Sequence, residues 1–395
     1  MEAPRVTGIY ERTTVASEQV SAFVPHPLPP AHPPLELDEP LWQQLRSAEE
    51  NLRRLELAGE MVPSLDWFIY GFVRKEAVLS SQIEGTQATL IDLLNFEAEG
   101  GIEASENADV REICNYLEAL DFARDQLRRP DGLPLSMRLL NEVHARLMQG
   151  ARGADKLPGE IRRSQNWIGG TRPGNAAFVP PPPHLLPELL TDFEKYLHAP
   201  DDLPPLIRAG LLHVQFETIH PYLDGNGRIG RLLVTLLLEH WQLLTAPLLY
   251  LSLFFKRHRS EYYRHLAAVR TDGDWEAWTR YFLEAVSTIA SEAVTAARNL
   301  FALVSRDREL VLSGPGSTLV AARLFERLPA HPIITITGAM TLLDTTRPTA
   351  SKAVTALVNA GVLVEISGKK RDRAFNYAAY LDQLKTGTGL GDALG

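Results

Sequence analysis

The stretch "HPYLDGNGRIGR", His220 to Arg231, decides how this chain is read. It joins two apolar helical runs, yet it gathers glycines, a histidine, an aspartate, an asparagine and two arginines at the junction. Pro221 lacks an N–H and clashes with the preceding turn, so the first helix stops at His220. Pro221 to Gly225 form a loop, and a second helix begins near Asn226. Gly225 and Gly227 admit positive φ and close backbone approach, so the N–H groups around Asn226 can line an anion site at a helix N-terminus. Arg228 and Arg231 project from one side of that helix as two guanidinium forks for several phosphate oxygens. Asp224 offers a hard oxygen, and magnesium needs only one or two carboxylates beside phosphate oxygens and water. His220, with an ordinary pKa of about 6.5, is the candidate general base. Singly, each residue has a plainer reading, the histidine as a helix C-terminal residue and the glycines as a helix–helix turn. Together they read as a polyphosphate site mounted between buried helices.

Composition sets the limits. At 395 residues the chain is too long for one compact core, and two or three domains are expected. Hydrophobic residues make up 45% and charged residues 23%, as in ordinary globular proteins, and a net charge of -9 argues against general coating of nucleic acid. The single cysteine, Cys114, excludes an internal disulfide framework and a cysteine-based zinc site, and it fits a cytoplasmic address. "MEAPRVTGIYERTT" has no apolar segment behind a basic start and does not read as a signal peptide. The most apolar stretch, Leu232 to Phe255, is broken by Glu239, His240, Gln242 and Pro247, so it reads as a core helix plus a turn and no membrane partner is expected.

From Ala22 to Pro40 the density of proline predicts an extended arm, pinned by Phe23, Val24, Leu35 and Leu37. Apolar recurrence at three and four residues then predicts helices near 41–58, 65–84, 87–97, 107–128 and 135–150, and again near 184–198, 203–219, 227–243, 257–270 and 274–312. Between the two sets, Gly169-Gly170 and Pro173-Gly174 separate short apolar runs at Trp167-Ile168 and Ala177 to Val179, which reads as a hairpin or flap closed by the prolines from Pro180. "SGPGST", 313–318, marks a domain boundary. Beyond it lie helices near 317–328, 337–343 and 348–360, the segment "IITIT", and two apolar runs around a basic loop. The expected fold is mainly α with a small β flap, divided into 1–64 (arm and first helix), 65–312 (core) and 317–395 (a separate C-terminal domain).

"HPYLDGNGRIGR" resembles the signature of Fic-domain proteins: histidine, proline and an aromatic, then an acid, glycine-asparagine-glycine-arginine and a second arginine three residues on. Eight fixed positions match by chance on the order of 10⁻¹⁰ per start site. Tyr222 stands where phenylalanine is more usual. The resemblance implies a helical core that moves the adenylyl group of ATP to a serine, threonine or tyrosine hydroxyl of a target protein. It implies His220 as the base, Asp224 as the Mg2+ ligand and the run Gly225, Asn226, Gly227, Arg228, Ile229, Gly230 and Arg231 around the phosphates. It further implies adenine-side contacts near Tyr262 and Tyr263, target docking along the flap residues Ile168, Gly169, Gly170, Phe178 and Val179, and a homodimer. "EAVLSSQIEGTQATL", 76–90, is similar to the inhibitory helix that precedes some Fic cores. Ser80, Glu84 and Gly85 match it, which implies that Glu84 holds Arg231 and misplaces ATP. As residues alone, Glu84 at a helix C-terminus opposes the helix dipole and calls for a compensating cation.

From about Ser317 the order of elements looks like a winged helix-turn-helix. Arg347 and Lys352 fall at its recognition helix, and "GKKRDR", with Lys369, Lys370, Arg371 and Arg373, forms the wing, a basic loop suited to DNA phosphates. Winged helices also dock proteins. Several functions therefore stay open: a protein adenylyltransferase restrained by Glu84 and acting on targets or itself; an ATP-sensing DNA-binding regulator of little turnover; or a related enzyme that removes AMP or transfers another phosphate-linked group. Intact His220 and Arg231 favour the first.

Overall fold

Helical periodicity becomes helix nearly everywhere in the computed structural model, which describes residues 5–60, 65–100, 107–150, 152–314, 316–367 and 373–391. In chain order the helices are α1 (Glu39–Glu60), α2 (Leu65–Ile83), α3 (Leu90–Ala98), α4 (Ala108–Arg128), α5 (Met137–Leu147), α6 (Leu186–His198), α7 (Pro205–Ile219), α8 (Asn226–His240), α9 (Ser252–Arg257), α10 (Arg259–Thr271), α11 (Trp275–Ser313), α12 (Leu319–Phe325), α13 (Ile336–Leu343), α14 (Arg347–Asn359) and α15 (Ala378–Leu384). Leu41, Leu45, Ala48, Leu52 and Leu55 form the buried stripe of α1, which runs along α11, and Asn51 Nδ2 donates to Ser287 Oγ across the seam at 2.9 Å. Helix α7 is buried on nearly every side, as a helix apolar all round must be.

The N-terminal region departs from the expected proline arm. Strands β1 (Gly8–Val15) and β2 (Glu18–Pro25) form an antiparallel hairpin in register Gly8↔Pro25 to Val15↔Glu18. Its two-residue turn, Ala16-Ser17, has φ of 48° and 68°, so the chain uses a left-handed turn without the Asn-Gly that announces one. The extended, proline-rich segment begins only after Pro25.

The C-terminal region carries β3 (Ile333–Thr335), β4 (Val364–Glu365) and β5 (Ala374–Asn376) in the antiparallel order β3-β5-β4, beside the mutually packed α12, α13 and α14. Helix α15, which periodicity did not predict, returns from this region to the core, and Leu384 packs against Gly71 of α2. Among the described residues no helix is long and apolar enough to cross a membrane.

Candidate active site

The buried helix α7 delivers His220 at its C-terminus in the left-handed conformation, φ 50° and ψ 62°. A side chain rarely adopts this backbone unaided. Here Arg162 Nε donates to the His220 carbonyl at 2.9 Å and Arg162 N to the Pro221 carbonyl at 2.9 Å. His220 Nδ1 lies 3.3 Å from the Glu217 carbonyl. A carbonyl only accepts, so Nδ1 carries the proton and Nε2 keeps its lone pair. Burial, then the charges of Arg162 and Arg270, outweigh the Glu217 carbonyl and Glu84 and push the His220 pKa down to about 4. The ring is therefore neutral at physiological pH, as a base must be.

Asn226 closes the loop on itself, accepting from Tyr222 N and donating to Tyr222 O, both at 2.8 Å. The Tyr222 ring stacks on His144 at 3.9 Å and its hydroxyl donates to Asn141 Oδ1 at 2.8 Å, so the added oxygen finds a partner. His144 in turn accepts from Gly159 N at 2.8 Å and donates to the Asp224 carbonyl at 3.0 Å. The loop is thus fixed from both sides.

Helix α8 starts after Gly225 (φ 78°) with no side-chain cap, leaving its first N–H groups to face the site. Arg228 is 3% exposed, yet its Nε and Nη1 make no hydrogen bond. Its nearest anions are Glu112 at 3.6 Å and Asp224 at 3.7 Å. Buried donors are normally answered, so these two await an acceptor. The Asp224 side chain is 41% exposed; its Oδ1 accepts from Gly225 N at 2.6 Å, and its Oδ2 lies against Gly153, where a Cβ would come within 2.6 Å. Among the described residues no group of three metal-ligating side chains exists. Asp224 fits a cation that needs one carboxylate and completes its shell with phosphate and water.

Arg231 is held through Nε and Nη2. Its Nε donates to Ser80 Oγ at 2.9 Å, and Nη2 donates to Ser80 O at 3.0 Å and Glu84 Oε1 at 2.6 Å. Helix α2 ends at Ile83, one residue short of the expected Glu84, which sits with Gly85 (φ 99°) in the closing turn. Burial alone would raise the Glu84 pKa, but Arg231 more than offsets it and the carboxyl stays ionised. A Cβ on Gly227 would come within 2.1 Å of Glu84 Oε1, so this glycine lets the carboxylate lie against the first turn of α8, inside the anion site.

The flap is narrower than the hairpin expected. A single bridge joins Ile168 and Phe178, N–H to carbonyl both ways at 2.8 and 3.1 Å, while Gly169 and Gly170 turn at φ 67° and 74°. Val179 faces the other way, its carbonyl accepting from Phe23 N of β2 at 2.9 Å. Tyr262 is buried, its hydroxyl 2.8 Å from His213 Nε2 and its ring stacked on Phe255 at 4.5 Å, while Tyr263 is 43% exposed beside it. Arg347 and Lys352 lie exposed on α14, and Arg373 pairs with Glu365 at 3.3 Å. None of these three joins the site, and Lys369, Lys370 and Arg371 lie outside the described residues.

Sequence reasoning missed Glu112, Arg162 and Glu217. Glu112 is 1% exposed on α4, where it accepts from Thr86 Oγ1 at 2.7 Å and Arg152 Nε at 3.0 Å. Glu217, one turn before His220, has an unpartnered buried Oε1, and burial pushes its pKa up to about 7 against the pull of Arg231. Each looks like an ordinary charge on a helix or loop until packing encloses it, and only the spacing of Glu217 to His220 hinted at proximity.

Residues 42–125 match the family model described as Fic/DOC family N-terminal, and residues 134–238 match that of the Fic/DOC family. Proteins named protein adenylyltransferase Fic are similar over part of the chain: one from Drosophila grimshawi is 28% identical over 208 residues, 51% of this chain and 39% of its own length. One from Culex quinquefasciatus is 31% identical over 152 residues, 38% of this chain and 27% of its own length. The chain thus spans about two fifths or less of the length of these relatives. A crystal structure of a Fic family protein from Desulfovibrio desulfuricans G20 shares the fold, with a TM-score of 0.56 at 20% identity, over 88% of this chain and 98% of that one. With the signature loop built as a buried helix junction and both models matched in order, residues 42–125 and 134–238 carry the two successive regions of the Fic/DOC family.

Proposed function

We propose that the protein is a magnesium-dependent adenylyltransferase that transfers AMP from ATP to a serine, threonine or tyrosine hydroxyl of a protein, and that Glu84 restrains it. The observation that carries this reading is Arg228, a buried guanidinium with two donors lacking a hydrogen bond, in the uncapped first turn of the helix that follows His220. The N–H groups of Gly225, Asn226, Gly227 and Arg228 would cradle the α- and β-phosphates, Ile229 and Gly230 carrying the helix past them to Arg231 on the γ-phosphate. Tyr263 would flank the adenine. Asp224 would hold Mg2+, whose part is to neutralise phosphate charge. His220 Nε2 takes the proton of the target hydroxyl as its oxygen bonds to the α-phosphorus, and pyrophosphate departs with the electrons of the broken P–O bond. The flap edge at Ile168 to Gly170, opposite Phe178 and Val179, would receive the target's backbone. In the restrained state Glu84 occupies Arg231 and the anion site together.

The test uses purified protein, Mg2+ and ATP labelled on the α-phosphate, with cell lysate as target. Glu84→Gly should label protein about 10–100-fold above wild type, the worth of one hydrogen bond to a charged group. His220→Ala in that background should lose about 10²–10⁴ in rate. Absence of label from every variant defeats the reading. A second reading, a DNA-binding regulator, rests on exposed Arg347 and Lys352 on α14, and DNA retention lost on replacing both would favour it.

A further inference from the structure

Arg162 is 2% exposed, and its three hydrogen-bonding nitrogens reach only carbonyls: Nε to His220 at 2.9 Å, Nη1 to Ser164 at 3.3 Å and Nη2 to Pro181 at 2.6 Å. No carboxylate among the described residues pairs with it. Burial pushes its pKa down to about 10 with nothing opposing. A buried cation without a counter-ion is unfavourable, so its retention needs a reason. The three carbonyls supply one. Ser164 lies just before the flap, Pro181 just after it, and His220 is the base held in a left-handed backbone. One planar fork therefore fixes both ends of the flap against the base, which a lysine's single point of charge cannot do.

We infer that Arg162 is a positioning residue for the transfer reaction, one that sets His220 against the flap and places a fixed positive charge beside its imidazole. This rests on the adenylyltransferase reading. Four charged or titratable groups face His220: Arg162 from the segment before the flap, Glu217 of α7, Glu84 after α2 and Arg270 of α10. Glu84 when ionised, and the backbone carbonyl of Glu217, favour protonation of the ring. Arg162 and Arg270 oppose it, and Arg162 is the only one of the four bonded to the histidine's own carbonyl.

The experiment compares Arg162, Arg162→Lys and Arg162→Met in the Glu84→Gly background. It reads kcat and KM for ATP, the acidic limb of the labelling rate, and the His220 titration by imidazole NMR assigned with His220→Ala. In Arg162→Met, kcat should fall about 10–100-fold with KM for ATP within about threefold, the displacement acting on geometry and not on phosphate binding. The acidic limb and the NMR midpoint should both rise by about 1 pH unit. Arg162→Lys should keep the midpoint near the parent's and still lose rate, separating charge from geometry. An unchanged midpoint in Arg162→Met, or a loss confined to KM, overturns the inference. If the Glu84→Gly parent transfers no label, the adenylyltransferase reading fails, while the NMR midpoint still decides whether Arg162 governs His220.

Discussion

His220 shows how much of this site is environment. An exposed histidine would be half protonated at about pH 6.5. Burial and Arg162 hold this one neutral to about pH 4, so labelling by Glu84→Gly is expected to stay level from pH 8 to about pH 5. A rate that halves near pH 6.5 would contradict that environment. Glu84 is held ionised by Arg231, so the wild type should stay restrained across the same range. Glu217 runs the opposite way. Its folded pKa, about 7, lies above the unfolded value of 4.5, so its contribution to stability is full below pH 4.5 and lost as pH rises through 7. Glu217→Gln should then raise Tm at pH 8 by about 1–2 °C, the equivalent of ~1 kcal/mol in a chain of this length, and leave it unchanged at pH 4.5, a pair of melting curves that checks the sign directly.

The helices were legible in the sequence because their stripes are strict: Leu41 to Leu55 on α1 predict both the element and its buried face. The signature loop was legible because Pro221 and Gly225 each restrict the backbone, and the likeness of Ser80 and Glu84 to an inhibitory motif implied the contact to Arg231 that the fold contains. The β1–β2 hairpin was not, since the side chains of β1 are mostly exposed or half-buried without clean alternation and Ala16-Ser17 gives no turn signal. Helix α9 was hidden in a run read as helix plus turn, because Glu76, which accepts from Ser252 N at 3.0 Å at its start, is distant in sequence. The missed hairpin matters to the flap. Glu18 accepts from Arg172 Nη1 at 2.6 Å and from Gly174 N at 2.9 Å, while Phe23 holds Val179. Glu18→Ala should therefore speed hydrogen exchange across 171–179 while moving Tm by less than about 2 °C, as a largely exposed ion pair contributes ~1 kcal/mol or less. Unchanged exchange there would mean the hairpin does not brace the flap.

The C-terminal region meets the core beside the turn that carries Glu84. Gln82, two residues before Glu84, donates from Nε2 to Ala88 O at 2.9 Å and Thr388 O at 3.1 Å, and its Oε1 accepts from Lys256 Nζ at 2.8 Å. Lys256 Nζ also donates to Gly389 O at 2.5 Å, and Thr388 is 2% exposed. The segment after α15 is thus seated on the end of α2 by buried polar contacts, with Leu384 against Gly71 one face below. Ending the chain before Lys385 removes one acceptor each from a buried amide and a buried ammonium, bonds worth about 0.5–1.5 and about 1.5–3 kcal/mol. The truncated protein should melt lower and label target about fivefold faster than wild type, because the turn that presents Glu84 loses one of its fixed points. Adding Glu84→Gly to the truncation should give the same rate as Glu84→Gly alone, since a restraint already absent cannot be loosened again. A lower Tm with unchanged labelling would instead confine the segment to stability, and the C-terminal region would then have no grip on the His220–Arg231 loop through this contact.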